Sequence, residues 1–232
     1  MIRIKETRGP LNKLSLRPFA FFILLLIPTF VLSLTHRSSD FFMHPMVLFS
    51  FLLAMLFASV VEIPIIYDLQ TRKPALSAAE ADLLGNIYSV PVRAELQTGK
   101  ERVYNSTVAL NLGGFVLPLL ISSYLIASFY FSAQELQLRS FIIILIVTAV
   151  ITHLFSEIKN GVGICVPEYA SLLPIPLALL ISDKPAAVIF ASGTLGIFIG
   201  MVTTLGAMRR EEKVSAFFSF GGTGNFNAIY IV

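Results

Sequence analysis

Long apolar runs, separated by shorter polar stretches, dominate the pattern of this chain. The runs lie at residues 18–34, 45–67, 107–131, 139–156, 161–182 and 186–207. Each reaches or approaches the roughly 20 residues that an α-helix needs to cross the hydrocarbon core of a bilayer. The pattern therefore predicts an all-α polytopic membrane protein with six full transmembrane helices.

A further apolar segment, residues 217–232, is shorter and contains a glycine-rich break at residues 221–224. As a helix it would reach about 24 Å, which is too short for a comfortable crossing. We expect it to be re-entrant, partly extended, or a short tilted crossing. Similar breaks stand at residues 111–114 and 161–167. Because non-helical backbone within a membrane needs protein or a water-filled cavity around it, such breaks point to a binding site.

The largest polar excursion covers residues 68–105. Within it, Ser77 and Glu80 form a capping-box pattern that predicts the start of a short helix, and Gly85 is placed to end that helix. Stretches rich in β-forming residues follow at 87–96 and 102–104. Since Thr98-Gly99 lies between them, we expect a β-hairpin there.

Composition and charge support the membrane class and orient the chain. Hydrophobic residues make up 56% of the sequence, charged residues 13%, and the mean hydropathy is +0.81. If every run crosses, 14 of the 17 Lys and Arg residues fall on one side. Basic residues mark cytoplasmic loops, which predicts a plasma-membrane protein with a cytoplasmic N-terminus. This distribution favours the lipid bilayer, a membrane-protein partner or a second copy as partners, and not nucleic acid.

The chain accordingly divides into four parts. Residues 1–17 form a basic cytoplasmic N-terminal segment, and residues 18–67 hold the first two transmembrane helices. Residues 68–105 form a cytoplasmic loop, and residues 106–232 hold the remaining four helices and the C-terminal segment.

Five polar residues within or beside the apolar runs are candidates for a polar site, since ionisable and amide groups at membrane depth are costly. They are Glu62, Asn111, Glu168, Asn225 and Asn227. Each also has a structural interpretation. Glu62 is either a proton or cation site or an interfacial carboxylate. The three amides either coordinate a ligand or make hydrogen bonds and turns, and Glu168 either lines a cavity or lies in water.

The sequence predicts no metal and no cofactor. His153 and Glu157 are four residues apart and share a helix face, which resembles half of a metal site, but no third ligand is apparent. The single cysteine, Cys165, excludes an internal disulfide and is typical of a small buried hydrophobic residue.

Four stretches, in their order along the chain, resemble an uncharacterised prokaryotic membrane family, domain of unknown function 1614. They are residues 61–64, 111–118, 161–167 and the pair 193–196 and 221–226. The resemblance implies a membrane fold and no settled activity. The chain departs from the family pattern at Val202 and Asn227, where the family often has Asp, and at Glu62, where Asn is more usual.

Transport is the function that the sequence favours: a small-solute or ion permease with a polar site at broken helices. The alternative is a non-catalytic structural or regulatory subunit of a membrane complex. A third possibility is a degenerate relative of the intramembrane aspartyl proteases, which Tyr67-Asp68 and residues 222–225 faintly resemble. Because Asn225 stands where such an enzyme needs a carboxylate, this interpretation makes the chain a non-catalytic relative.

Overall fold

The structure, a computed structural model, describes residues 24, 26–27, 31, 44–72, 75–88, 90–97, 103–207 and 215–232. Its helices are α1 (Pro45–Ala58), α2 (Ala78–Tyr88), α3 (Val92–Leu96), α4 (Leu117–Phe131), α5 (Glu135–Phe155), α6 (Pro174–Ile181), α7 (Pro185–Ala207) and α8 (Phe226–Ile231). Its strands are β1 (Glu62–Arg72), β2 (Val103–Asn111), β3 (Glu157–Lys159), β4 (Gly163–Cys165) and β5 (Phe217–Phe220). A π-helical turn, Leu112–Val116, precedes α4, and a 3-10 turn, Glu168–Leu172, precedes α6.

Within this described part, three helices are long and apolar enough to cross a membrane. They are Leu112–Phe131, which joins the π-helical turn to α4, together with α5 and α7. The predicted runs 139–156 and 186–207 are therefore confirmed as long apolar helices, which are compatible with a membrane protein. The structure is mostly helical, but it is not all-α, because it also contains a three-stranded and a two-stranded sheet. The first predicted run, residues 18–34, and the basic segment before it lie almost entirely outside the described residues.

The second predicted span is wrong as a single helix. Helix α1 has 14 residues and ends at Ala58, and β1 begins at Glu62. Two features explain the change. Pro64 cannot donate a helical hydrogen bond, and the isoleucines around it favour an extended chain. The β1 strand pairs with β2 in antiparallel orientation, with register shifts beside Pro64.

The predicted hairpin is also wrong, whereas the capping box is confirmed. Ser77 and Glu80 exchange hydrogen bonds of 2.8 Å and 3.2 Å at the start of α2. The helix continues through Gly85, however, and residues 92–96 form α3 rather than a strand. Strand β2 instead pairs with β1 across the whole excursion, so the predicted third span begins with a strand.

The predicted fifth span, residues 161–182, is not one helix either. Strands β3 and β4 form a short hairpin around Gly161, whose φ is +77°, and the 3-10 turn and α6 follow. Left-handed glycine and the prolines of this region prevent a continuous helix. The C-terminal segment is partly extended, which was one of the three expected alternatives. Strand β5 lies parallel to β2 and completes a sheet in the order β1-β2-β5.

Helix α7 forms the centre of the bundle, with most of its residues buried. A Cβ atom on Gly196 would overlap Thr148 of α5, and one on Gly200 would overlap Thr152. Small residues at this spacing allow the two helices to approach closely. Because both pairs advance in the same direction, α5 and α7 run parallel, and both end at the side of the bundle that carries the sheet.

Candidate functional site

Two of the candidate residues, Glu62 and Asn111, meet where β1 begins and β2 ends. The two residues are register partners in the ladder, and the Asn111 Nδ2 atom lies 3.1 Å from Glu62 Oε1. From the parallel strand β5, the Ser219 hydroxyl lies 2.7 Å and 2.8 Å from the two Glu62 oxygens. We call these three residues the carboxylate junction. Its half-buried carboxylate thus accepts hydrogen bonds from a neutral amide and a neutral hydroxyl.

Asn111 organises the backbone around this junction. Its side chain is fully buried and donates to the Ser59 carbonyl at 2.6 Å, just beyond α1. Its oxygen accepts from the Gly114 N–H at 2.8 Å and so caps the π-helical turn. A buried amide that satisfies two backbone groups rigidifies the segments it joins. Asn111 therefore fixes the end of α1 relative to the start of the Leu112–Phe131 helix.

Glycines allow the backbones to approach each other at this place. A Cβ atom on Gly113 would overlap the Met55 carbonyl of α1, and one on Gly114 would overlap the Gly221 carbonyl. A Cβ atom on Gly222 would overlap both Ser219 and Glu62 of the carboxylate junction. The glycine-rich breaks that the sequence singles out are thus in direct contact with one another.

Asn225 has a structural position beside the junction. Its Nδ2 atom donates to the Ile164 carbonyl at 3.1 Å and to the Ser219 carbonyl at 2.9 Å, which ties β4 to β5. The residue is 1% exposed, and its Oδ1 atom has no hydrogen-bond partner among the described residues. Both amide donors of Asn225 are therefore used to hold backbone carbonyls.

Glu168 and Asn227 meet at a different place, in a cavity of about 450 Å³ beside the end of α5. Asn227 Nδ2 donates to Glu168 Oε1 at 2.7 Å. The cavity is also lined by Gly222, so its wall adjoins the carboxylate junction. We call this space the interfacial cavity.

Two further groups of this cavity have perturbed acidities. Lys159 Nζ lies 2.8 Å from the Tyr88 hydroxyl, and this hydrogen bond raises the pKa of the lysine. Burial raises the pKa of the Cys165 thiol to about 11. Since the thiolate is the reactive form, Cys165 is poorly suited to act as a nucleophile at neutral pH.

The structure thus brings Glu62 and Asn111 together. Asn225 is connected to them through the Ser219 carbonyl, to which its side chain donates. Glu168 and Asn227 lie in the adjoining cavity. The sequence reasoning missed Ser219 and Lys159. Ser219 was recognisable as a polar residue flanked by Phe218 and Phe220 on an apolar segment. Lys159 had no comparable signal, because its partner Tyr88 lies far away in the sequence.

His153 and Glu157, whose spacing resembles half of a metal site, lie in different surroundings. His153 Nδ1 lies 3.5 Å from the Thr204 hydroxyl, and Glu157 lines the interfacial cavity. In the part of the chain that the structure describes, no group of three or more His, Cys, Asp or Glu side chains is arranged to hold a metal ion.

Comparison with known proteins gives one family. The family described as "Protein of unknown function (DUF1614)" matches residues 56–232. No curated protein and no solved structure matches the chain.

Proposed function

Since the chain belongs to the family of unknown function DUF1614, whose name carries no activity, we propose a function from its own site: a permease-like transporter of a small polar solute or an ion. The proposal rests on one observation. Three apolar segments, each broken between helix and strand, meet at a single carboxylate, and their backbones touch through glycines.

The three segments are the end of α1, the π-helical turn and the turn between β5 and α8. At each of them the chain changes between helix and strand beside the carboxylate junction of Glu62, Asn111 and Ser219. Discontinuous helices that end near the substrate or coupling ion are a recurrent device of secondary transporters. An ionisable side chain at such a place is a candidate for the ion or proton pathway. The arrangement therefore supports transport better than it supports a purely structural role.

The C-terminal segment also reaches deep into the bundle. A Cβ atom on Gly193 of α7 would lie 2.6 Å from the Val232 side chain. Gly193 is in the ninth position of the 23-residue helix α7, so the chain end lies near the middle of that helix. Helix α8 thus leads from the interfacial cavity toward the centre of the bundle. We infer from the charge asymmetry that the sheet end faces the cytoplasm, which makes the cavity an inward-facing entrance.

The test is transport by the purified chain in proteoliposomes. A panel of monovalent cations, amines and small organic acids is offered with an imposed pH gradient, and uptake is compared with empty liposomes. We expect Glu62→Gln to abolish pH-dependent uptake, because the amide cannot bind a proton or neutralise a cation. Glu135→Gln is the matched control, since that exposed carboxylate pairs with Arg139 at the opposite end of α5. Equal uptake by both variants would remove Glu62 from the transport site.

A second function, that of a structural or regulatory subunit, is favoured by the tight internal packing of the same region. The side-chain amides of Asn111 and Asn225 donate to carbonyl groups of the same chain. Gly113, Gly114 and Gly221 lie against backbone atoms rather than open space. Helix α5 also exposes a row of apolar side chains that would contact lipid or another protein: Ile142, Ile143, Ile146 and Val150. Co-purification of a partner at a fixed stoichiometry, together with no uptake of any member of the panel, would favour this role over transport.

The comparison with intramembrane aspartyl proteases gains no support from the site. Asn225, at the position of the second carboxylate, holds two backbone carbonyls and cannot act as a general acid or base. The side chain of Asp68 lies outside the described part of the chain.

A further inference from the structure

The interfacial cavity differs in chemistry from the carboxylate junction. It is open to solvent and lies between α2, the β3–β4 hairpin and the turn that precedes α8. Its volume of about 450 Å³ is within the range of sites that hold small organic ligands. In contrast to the closely packed junction, it has room for a molecule larger than a bare ion.

Four aromatic residues contribute to its wall. Tyr88, Phe155, Tyr169 and Phe226 all line it, and the rings of Phe155 and Tyr169 pack edge to face with their centroids 5.7 Å apart. The negative face of an aromatic ring attracts ammonium groups. Lys159 Nζ is not an example of this contact: it lies 2.8 Å from the Tyr88 hydroxyl oxygen and 5.5 Å from the ring centroid, so it lies beyond the hydroxyl and near the plane of the ring.

The charges of the cavity also favour a cation. Glu157 and Glu168 contribute two carboxylates, whereas Lys159 contributes one ammonium group. The hydrogen bond from Asn227 holds the Glu168 carboxylate in a fixed position at the wall.

The rim of the cavity is apolar and exposed. Ile87 is 63% exposed, Tyr169 53% and Phe155 52%. Phe155 is the last residue of α5, a helix long and apolar enough to cross a membrane, and such a crossing would put the mouth where the helix leaves the hydrocarbon. Aromatic and apolar side chains at this level contact the head-group region of a bilayer. An amphiphile would therefore reach the cavity as readily as a solute.

We propose that the interfacial cavity binds an organic ammonium group, either as a free amine or as the head group of a lipid. The aromatic walls and the carboxylates of Glu157 and Glu168 recognise the cation. This inference deepens the proposed transport function, on which it rests for its role in the membrane. Binding is nevertheless measurable without transport.

The experiment uses the full chain in nanodiscs of phosphatidylglycerol, a lipid without an amine, and titrates choline by calorimetry. The matched ligand is 3,3-dimethylbutan-1-ol, which has nearly the same shape as choline and no charge. We expect saturable binding of choline and none of the alcohol. Glu168→Gln should weaken choline binding about tenfold, the equivalent of about 1.4 kcal/mol, and Tyr169→Leu should also weaken it. Glu135→Gln should leave it unchanged.

Nanodiscs that contain phosphatidylethanolamine separate the two sources of the ligand. If this lipid competes with choline, the head group of a lipid is the natural occupant, and if it does not, a free amine is. Equal binding of choline and the alcohol, or no choline binding in any disc, would overturn the inference. Choline binding without uptake in proteoliposomes would contradict the transport function alone, whereas uptake of other solutes without choline binding would contradict this inference alone.

Discussion

Replacing Asn111 by alanine tests whether one buried amide holds the interrupted segments together. The change removes the acceptor of the Gly114 N–H and the donor to the Ser59 carbonyl. Each backbone group left buried without a partner costs about 1–3 kcal/mol, so the two together cost about 2–6 kcal/mol. Glu62 is half-buried and keeps two hydrogen bonds to Ser219, so its contribution is smaller.

The thermal midpoint of the purified protein in detergent is a suitable measurement. For a chain of this size, 1 kcal/mol corresponds to about 2–4 °C, so we expect a decrease in Tm on the order of 10 °C. Asn86→Ala is the control, because Asn86 is exposed on α2 and its loss should change stability by less than about 0.5 kcal/mol. If the two variants melt within about 2 °C of each other, the three hydrogen bonds of Asn111 do not stabilise the fold as proposed.

Three further predictions concern packing, pH and thiol chemistry. Gly200→Ala should destabilise the contact between α5 and α7 by about 1–3 kcal/mol. Gly206→Ala should be neutral or stabilising, because a Cβ atom there would have no other atom within 4 Å. Equal Tm values for the two variants would contradict the close packing. Hydrogen bonds from Ser77 lower the pKa of Glu80 below its usual 4.5. The protection of α2 from hydrogen exchange should therefore persist above pH 4.5 and decline as the pH falls below it. Glu80→Gln should remove that dependence on pH. The raised pKa of Cys165 leaves about one thiolate in a thousand at pH 8, so maleimide should label it far more slowly in the folded protein than in denaturant, and equal rates would refute its burial.

Local features of the fold were predictable where the signal is contained in one short segment. The capping box of Ser77 and Glu80 starts a helix because its hydrogen bonds join residues three positions apart. Helices α5 and α7 were likewise predictable, since their long apolar runs carry no proline beyond the first turn. The end of this helix was not predictable: Gly85 was expected to end it, but Gly85 has no positive φ and the helix continues to Tyr88.

The candidate site shows the limit of such reasoning in another way. Glu62 and Asn111 were identified as costly polar residues in apolar surroundings, but nothing local indicated that they pair across β1 and β2. The sequence predicts helical spans for the start of β1 and the end of β2, because an apolar stretch rich in isoleucine and valine is compatible with either conformation. The choice was made by pairing between residues that are 31 to 49 positions apart in the sequence.

The sequence by itself determined the membrane class, the long helices α5 and α7, the capping box and the glycine-rich breaks, since each depends on composition or on neighbours within a few residues. Only the tertiary structure decided that β1, β2 and β5 form one sheet and that the glycine-rich breaks touch. It also decided that Ser219 belongs to the carboxylate junction and Lys159 to the interfacial cavity. Hydrogen-bond partners of a strand lie on another strand, whereas those of a helix lie four residues away. The sequence therefore specifies a helix locally, but a strand and the site built on it only through the folded whole.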